Sequence, residues 1–66
     1  MRLHYDPTTD ALYLRLDESQ VVDSQEVNPG VILDFNASNE VVGIEVLRLR
    51  SRFPSADPQH LQVDIA

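Results

Sequence analysis

Apolar side chains recur at every second position in four short runs, and that spacing commits most of the chain to β-strands. Met1, Leu3 and Tyr5 form one set, and Leu12, Leu14 and Leu16 a second. Val31, Leu33 and Phe35 form a third, and Val42, Ile44 and Val46 a fourth. A period of two puts each set on one face of an extended segment, whereas a helix would scatter it around the axis. The chain has 66 residues and no cysteine, so neither a disulfide nor a thiolate zinc site can brace it. Ordering costs roughly 1.5 kcal/mol per residue, which leaves the core of so small a domain marginal. Such a chain must pack unusually well or bury a second face against a partner.

The runs pair with one another in a consistent way. Asp6-Pro7-Thr8-Thr9-Asp10 is a turn, with Pro7 presetting φ and Asp and Thr side chains able to satisfy local backbone donors. Folding the first two runs about it sets Tyr5 opposite Leu12, Leu3 opposite Leu14 and Met1 opposite Leu16, all on one face. Asp17-Glu18-Ser19-Gln20 is a second turn, followed by a weak, polar strand over 21–27. Val22 and Val27 in that strand have opposite parity, and a single β-bulge reconciles them. Asn28-Pro29-Gly30 suits a type II turn. A four-residue loop, Ala37-Ser38-Asn39-Glu40, then sets Phe35 opposite Val42, Leu33 opposite Ile44 and Val31 opposite Val46. The expected fold is mainly β, or small α+β, with five antiparallel strands in meander order.

The last twenty residues leave two readings open. Leu47 to Phe53 either continues the strand, lining up Arg48, Arg50 and Arg52, or forms a short helix ended by Pro54. Ser55-Ala56-Asp57-Pro58 reads as a linker, and His60 to Ile65 alternates again. The expected organisation is one β-rich domain over 1–50 and a C-terminal extension over 51–66, helical or extended. That extension is either a strand swapped onto a partner or a frayed end.

Charge and composition narrow the function. The formal net charge is −6, with five arginines, no lysine and eleven acids. That balance argues against non-specific nucleic-acid binding, which needs phosphates neutralised by basic side chains. No apolar run reaches the ~20 residues of a membrane span, and the charged start is no signal peptide, so a cytoplasmic location is expected. The two histidines, His4 and His60, fall on an outer face and in a tail, and neither builds a catalytic triad. His4 and Asp6 share a face but lack a third metal ligand. Gly30 and Gly43 sit in no phosphate-cradling motif. No catalytic, cofactor-binding or metal-ligating residue is therefore assigned, and no cofactor is expected. The outer face is not uniformly polar: Tyr13, Ile32 and Val41 lie there beside Arg15, Asp34 and Glu45. These six are the expected partner or dimer contacts, since a single sheet with apolar groups on both faces needs two covers.

Two blocks of the sequence resemble a known family. Tyr5-Asp6-Pro7-Thr8-Thr9-Asp10-Ala11-Leu12-Tyr13-Leu14-Arg15-Leu16 is similar to the Y-D-x-x-x-D-A-L-Y-[IL]-x-[LF] opening of the domain of unknown function 2283 family. Gly30-Val31-Ile32-Leu33-Asp34-Phe35 and Val41-Val42-Gly43-Ile44-Glu45-Val46-Leu47 resemble its later segments, in order and at the usual distance. The resemblance implies a compact β-rich domain with a helical C-terminal segment and no established activity. It marks Asp6, Asp10, Asp34, Gly43 and Glu45 as motif positions with no catalytic role attached, and it implies an antitoxin-like, partner-binding role. After Leu47 the chain departs from the family pattern, through its arginines, two prolines and the His60–Ile65 tail. The functional expectation is a non-enzymatic, homodimerising protein-binding module. The alternative is a small-molecule or metal-binding enzyme subunit using Asp34, Glu45 and His4.

Overall fold

The computed structural model describes all 66 residues. Five strands form one antiparallel sheet: β1 (Arg2–Asp6), β2 (Ala11–Arg15), β3 (Asp23–Asn28), β4 (Val31–Phe35) and β5 (Val41–Val46). One short helix, α1 (Leu49–Arg52), follows, and residues 53–66 continue without regular structure beyond turns. The mainly-β class and the five antiparallel strands are those the sequence predicts, and of the two readings left open for residues 47–53 the structure takes the short helix.

The strand order is not the expected meander. It runs β1-β2-β5-β4-β3, so β2 pairs with β5 and β3 lies at the far edge. The β1–β2 hairpin and the β3–β4–β5 meander are two separate units zipped together along β2 and β5. The physical reason lies in the composition of β3. Its residues Asp23, Ser24, Gln25 and Glu26 are all exposed, and such a strand is stable at an edge but costly in the middle of a sheet. The connection over 16–22 does not close a tight turn. Seven residues at ~3.3 Å each span more than the roughly 14 Å separating strands three places apart. The crossover is tied at both ends, Leu16 N donating to Val42 O at 2.8 Å and Val22 N to Phe35 O at 2.8 Å.

The two hairpins keep their expected inner pairs: Leu3 with Leu14, Tyr5 with Leu12, Leu33 with Ile44 and Val31 with Val46. Met1 lies outside β1, so its pairing with Leu16 does not form. The bulge expected in β3 is present, as Val27 is skipped between Glu26 and Asn28. The turn at Pro29-Gly30 has Gly30 at φ 79, the left-handed value that the third position of a type II turn requires. A second bulge was not expected. Phe35 pairs with Val41 rather than Val42, because Asn36 joins the loop and organises it. Its side-chain Oδ1 accepts from Ser38 N at 3.0 Å and Glu40 N at 2.9 Å. Val42 becomes the extra residue and is 2% exposed.

Pairing across β2 and β5 aligns the apolar residues into rows. Leu3, Leu14, Ile44 and Leu33 make one row on the inner face, and Tyr5, Leu12, Val46 and Val31 the next. The C-terminal segment covers the β1–β2 end of this face, where Leu49, Ala56 and Leu61 meet Leu3 and Leu12 around a cavity of about 230 Å³. Leu49 and Val42 are the only buried hydrophobic residues. Leu49→Ala should therefore cost about 2–3 kcal/mol, read as a lower urea midpoint at unchanged slope. A drop below about 0.5 kcal/mol would show that the helix does not close the core.

Candidate functional site

The outer face carries the chain's most connected polar network, and it spans the junction of the two units. Tyr13 on β2 extends across Gly43 on β5 to Asp34 on β4, its hydroxyl donating to Oδ2 at 2.7 Å. Asp34 Oδ1 accepts from Ser24 Oγ on β3 at 2.6 Å. Arg15 completes the chain of contacts. Its Nη1 donates to the Tyr13 hydroxyl at 3.1 Å, its Nε to Asp17 O at 2.6 Å and its Nη2 to Ser19 O at 2.5 Å. Arg15 therefore clamps the crossover onto the sheet, while Tyr13 and Asp34 bridge the seam beneath it.

Gly43 makes this possible. Any Cβ there would overlap the Tyr13 hydroxyl and would sit 2.9 Å from Tyr13 Cζ and 3.0 Å from Asp34 Oδ2. A glycine inside a strand commonly marks such a close approach. The electrostatics follow the geometry. Desolvation first, then the hydrogen bond to Asp34, pushes the Tyr13 phenol above its ordinary value. The phenol is thus a donor at neutral pH and not a nucleophile.

A second cluster joins the first turn to the C-terminal helix. Asp10 sits at φ 56 in the left-handed region, where aspartate is tolerated better than most residues. Its carboxylate accepts from Tyr5 OH at 2.6 Å and from Arg50 N at 3.1 Å, and its carbonyl accepts from Leu49 N at 3.0 Å. Arg48, which precedes α1, offers no side-chain cap, so Asp10, 40 positions before Arg50, supplies one. The Arg50 guanidinium lies 6.0 Å from the centre of the Tyr5 ring. The Tyr5 hydroxyl, then the backbone N–H groups of Arg50 and Ser51, hold the Asp10 carboxyl below the usual carboxylate range. Asp6 accepts from Thr8 N at 2.9 Å and Thr9 Oγ1 at 3.0 Å within the same turn.

The six expected contact residues separate into distinct settings. Tyr13, Arg15 and Asp34 come together in the network. Glu45 and Ile32 lie in the adjacent outer row, His4–Tyr13–Glu45–Ile32–Glu26. Glu45 is half-buried, and none of the chain's hydrogen bonds or ion pairs uses its carboxylate. Arg15 and Asp34 do not touch directly but meet through Tyr13. Val41 leaves the outer face: residues paired across a ladder share a face, and the Val42 bulge sets Val41 opposite Phe35. His4 is separated from Glu45 by Tyr13, and no three His, Asp or Glu side chains converge to hold a metal. The three arginines of the C-terminal segment do not form a stripe. Arg52 donates to Pro29 O, Arg48 lies against Gly30, and Arg50 sits over Tyr5. Sequence reasoning missed Ser19 and Ser24 as network members. Their only signal is proximity to Arg15 and Asp34, which appears once the strand order is known.

The class defined by this architecture is a small antiparallel sheet stitched by a tyrosine–carboxylate bridge over a glycine. The family model for the protein of unknown function DUF2283 matches residues 2–50, and the chain belongs to that family. No curated protein and no solved structure matches it. No helix is long and apolar enough to cross a membrane.

Two outcomes follow from the clusters. Tyr13→Phe should cost about 1–2 kcal/mol by urea denaturation, because Asp34 and Arg15 lose a shared partner. Gly43→Ala should cost more, since the added methyl displaces the ring itself. Equal stability of the wild type and both variants would refute the bridging role. The Asp10 carboxyl is depressed in the folded state, so its contribution is present above the unfolded value near 3.8 and disappears as pH falls through the lower folded value. Asp10→Asn should therefore shrink the stability difference between pH 7 and pH 2.5. An unchanged difference would place the acid sensitivity elsewhere.

Proposed function

We propose that the chain is a non-enzymatic assembly domain that forms a homodimer through its Leu-rich inner face and presents its acidic outer face to a small basic protein, an antitoxin-like role. The observation that carries this reading is the state of the inner face. Its aliphatic rows cross the sheet, yet none of their residues is buried, and Leu3 and Leu16 are 38% and 37% exposed at its margins. A compact monomer of 7.5 kDa exposes about 4,250 Å², whereas this chain exposes 5018 Å². The surplus of roughly 770 Å² includes apolar surface, since Leu3 and Leu16 at the sheet margin and Leu61, Val63 and Ile65 in the tail all stand exposed. The flat dimensions, 35 × 31 × 21 Å, fit a single layer awaiting a second.

The outer face supports the partner half of the reading. Glu45 and Glu26 flank Ile32 in one row. An apolar side chain framed by two carboxylates suits a basic residue whose aliphatic stem lies on Ile32 and whose charge meets the acids. The network residues supply rigidity to that surface, with their own donors and acceptors already engaged.

Native mass spectrometry and light scattering across a concentration series test the dimer. A two-copy species is expected, and Leu16→Glu should weaken it by about tenfold or more while leaving the circular dichroism spectrum intact. A monomer at every concentration, or a dimer indifferent to the substitution, overturns the inner-face reading.

A further inference from the structure

We infer that residues Leu61–Ile65 of one copy add as a sixth strand to the open edge of β1 in a second copy. The inference rests on the dimeric reading above and specifies how one part of the assembly is joined. The segment has the pattern of a strand without a sheet. Leu61, Val63 and Ile65 alternate with Gln62 and Asp64, and the three apolar residues are 66%, 73% and 91% exposed. None of residues 61–66 takes part in a backbone hydrogen bond. An extended segment of this kind is stabilised by pairing with a sheet edge, the backbone giving affinity and the alternating side chains giving register.

The sheet offers two edges, and they differ. β3 is exposed, carries Asp23 and Glu26, and is interrupted by the bulge at Val27. Acids and a bulge are what protect an edge from further pairing, and Asp64 would be repelled there. β1 has neither interruption nor net acidity. Its five residues pair with β2 without a register shift, and Leu3 remains 38% exposed on the inner side. The tail segment and β1 are each five residues long.

The chemistry selects a register. Running antiparallel, Leu61 stands opposite Tyr5 and Val63 opposite Leu3, so Val63 extends the inner row of Leu3, Leu14, Ile44 and Leu33. On the outer side Gln62 then faces His4 and Asp64 faces Arg2, an opposite-charge pair. Arg2 is 71% exposed even while bonded to Glu18, and an added strand would bring it a second carboxylate. Within its own chain the segment approaches the sheet from the face. His60 and Leu61 border the cavity beside Leu3 and Leu12, and no backbone bond reaches the edge of β1. A second copy is therefore the occupant of that edge, and reciprocal exchange by both tails closes a two-fold assembly.

The test mixes isotope-labelled and unlabelled full-length chains and reads isotope-filtered contacts between copies. Contacts from the Val63 and Ile65 methyls to Leu3 of the other copy are expected. The double substitution Val63→Asp, Ile65→Asp, at two exposed positions, should weaken the dimer by about tenfold or more and speed hydrogen exchange at β1 amides, with the monomer fold intact. Tail contacts confined to one copy, or a dimer of unchanged affinity in the double variant, overturn the exchange. Sensitivity to Leu16→Glu would then leave the inner-face dimer standing. A full-length chain that stays monomeric at every concentration overturns both.

Discussion

The hydrogen bond from Tyr13 to Asp34 crosses the one place where the fold had a choice. Two locally paired units, β1–β2 and β3–β4–β5, are joined only through the pairing of β2 with β5. Backbone ladders alone do not specify which strand β2 should meet, because several would accept an antiparallel neighbour. The tyrosine reaches over β5 to β4, and only a strand with no side chain at the crossing point lets it through. Gly43 meets that requirement. Once β5 is in place, Arg15 can hold the crossover through the carbonyls of Asp17 and Ser19, and the inner rows of leucine, isoleucine and valine come into line. Polar stitching on one face and aliphatic alignment on the other are consequences of the same junction.

Asp10 does for the third dimension what Tyr13 does for the plane. A four-residue helix has no intrinsic stability in water, since its nucleation is unfavourable and most of its backbone groups lack internal partners. Here the carboxylate and carbonyl of Asp10 receive its first N–H groups, and Tyr5 orients that carboxylate from the neighbouring strand. The helix is thereby pinned to the turn, Leu49 is carried onto the sheet, and Arg48 and Arg52 close over the Gly30 turn. Beyond Phe53, Ala56 and Leu61 reach only the Leu3–Leu12 end of the sheet, which is why the inner rows stay half-open.

Much of this was legible in the sequence because it is local. The alternation of Leu12, Leu14 and Leu16, the Asn28-Pro29-Gly30 turn and the parity conflict between Val22 and Val27 each require only a few neighbouring residues, and the hairpins, turn and bulge they imply are present. The strand order was not legible in the same way, although the polarity of β3 already argued for an edge. Hairpin logic favours joining successive strands, and it placed β3 beside β2. The outer-face cluster of Arg15, Asp34 and Tyr13 was readable from parity alone, but its wiring was not: the arginine and the carboxylate meet through the phenol. Val41 changed faces because Asn36 gathers the loop amides to its side chain, a contact that shifts register by one residue. The bond from Arg50 N to Asp10 joins positions 40 apart and leaves no periodic trace.

The unequal protection of the two edges is the last consequence of this arrangement. The polar, acidic strand goes to the far edge because β5 has taken its place beside β2, so the sheet acquires one edge defended by charge and a bulge. The first strand remains at the other edge, held by a hairpin whose inner side chains are needed for the core and therefore stay apolar. Its outer side chains, Arg2, His4 and Asp6, carry no net acidity in a chain that is otherwise strongly acidic. A sheet of this kind discriminates between its edges by chemistry: one repels an acidic strand and the other offers it Arg2. The same zipping of β2 to β5 that stabilises a single copy thus fixes the direction from which a further strand can be accepted.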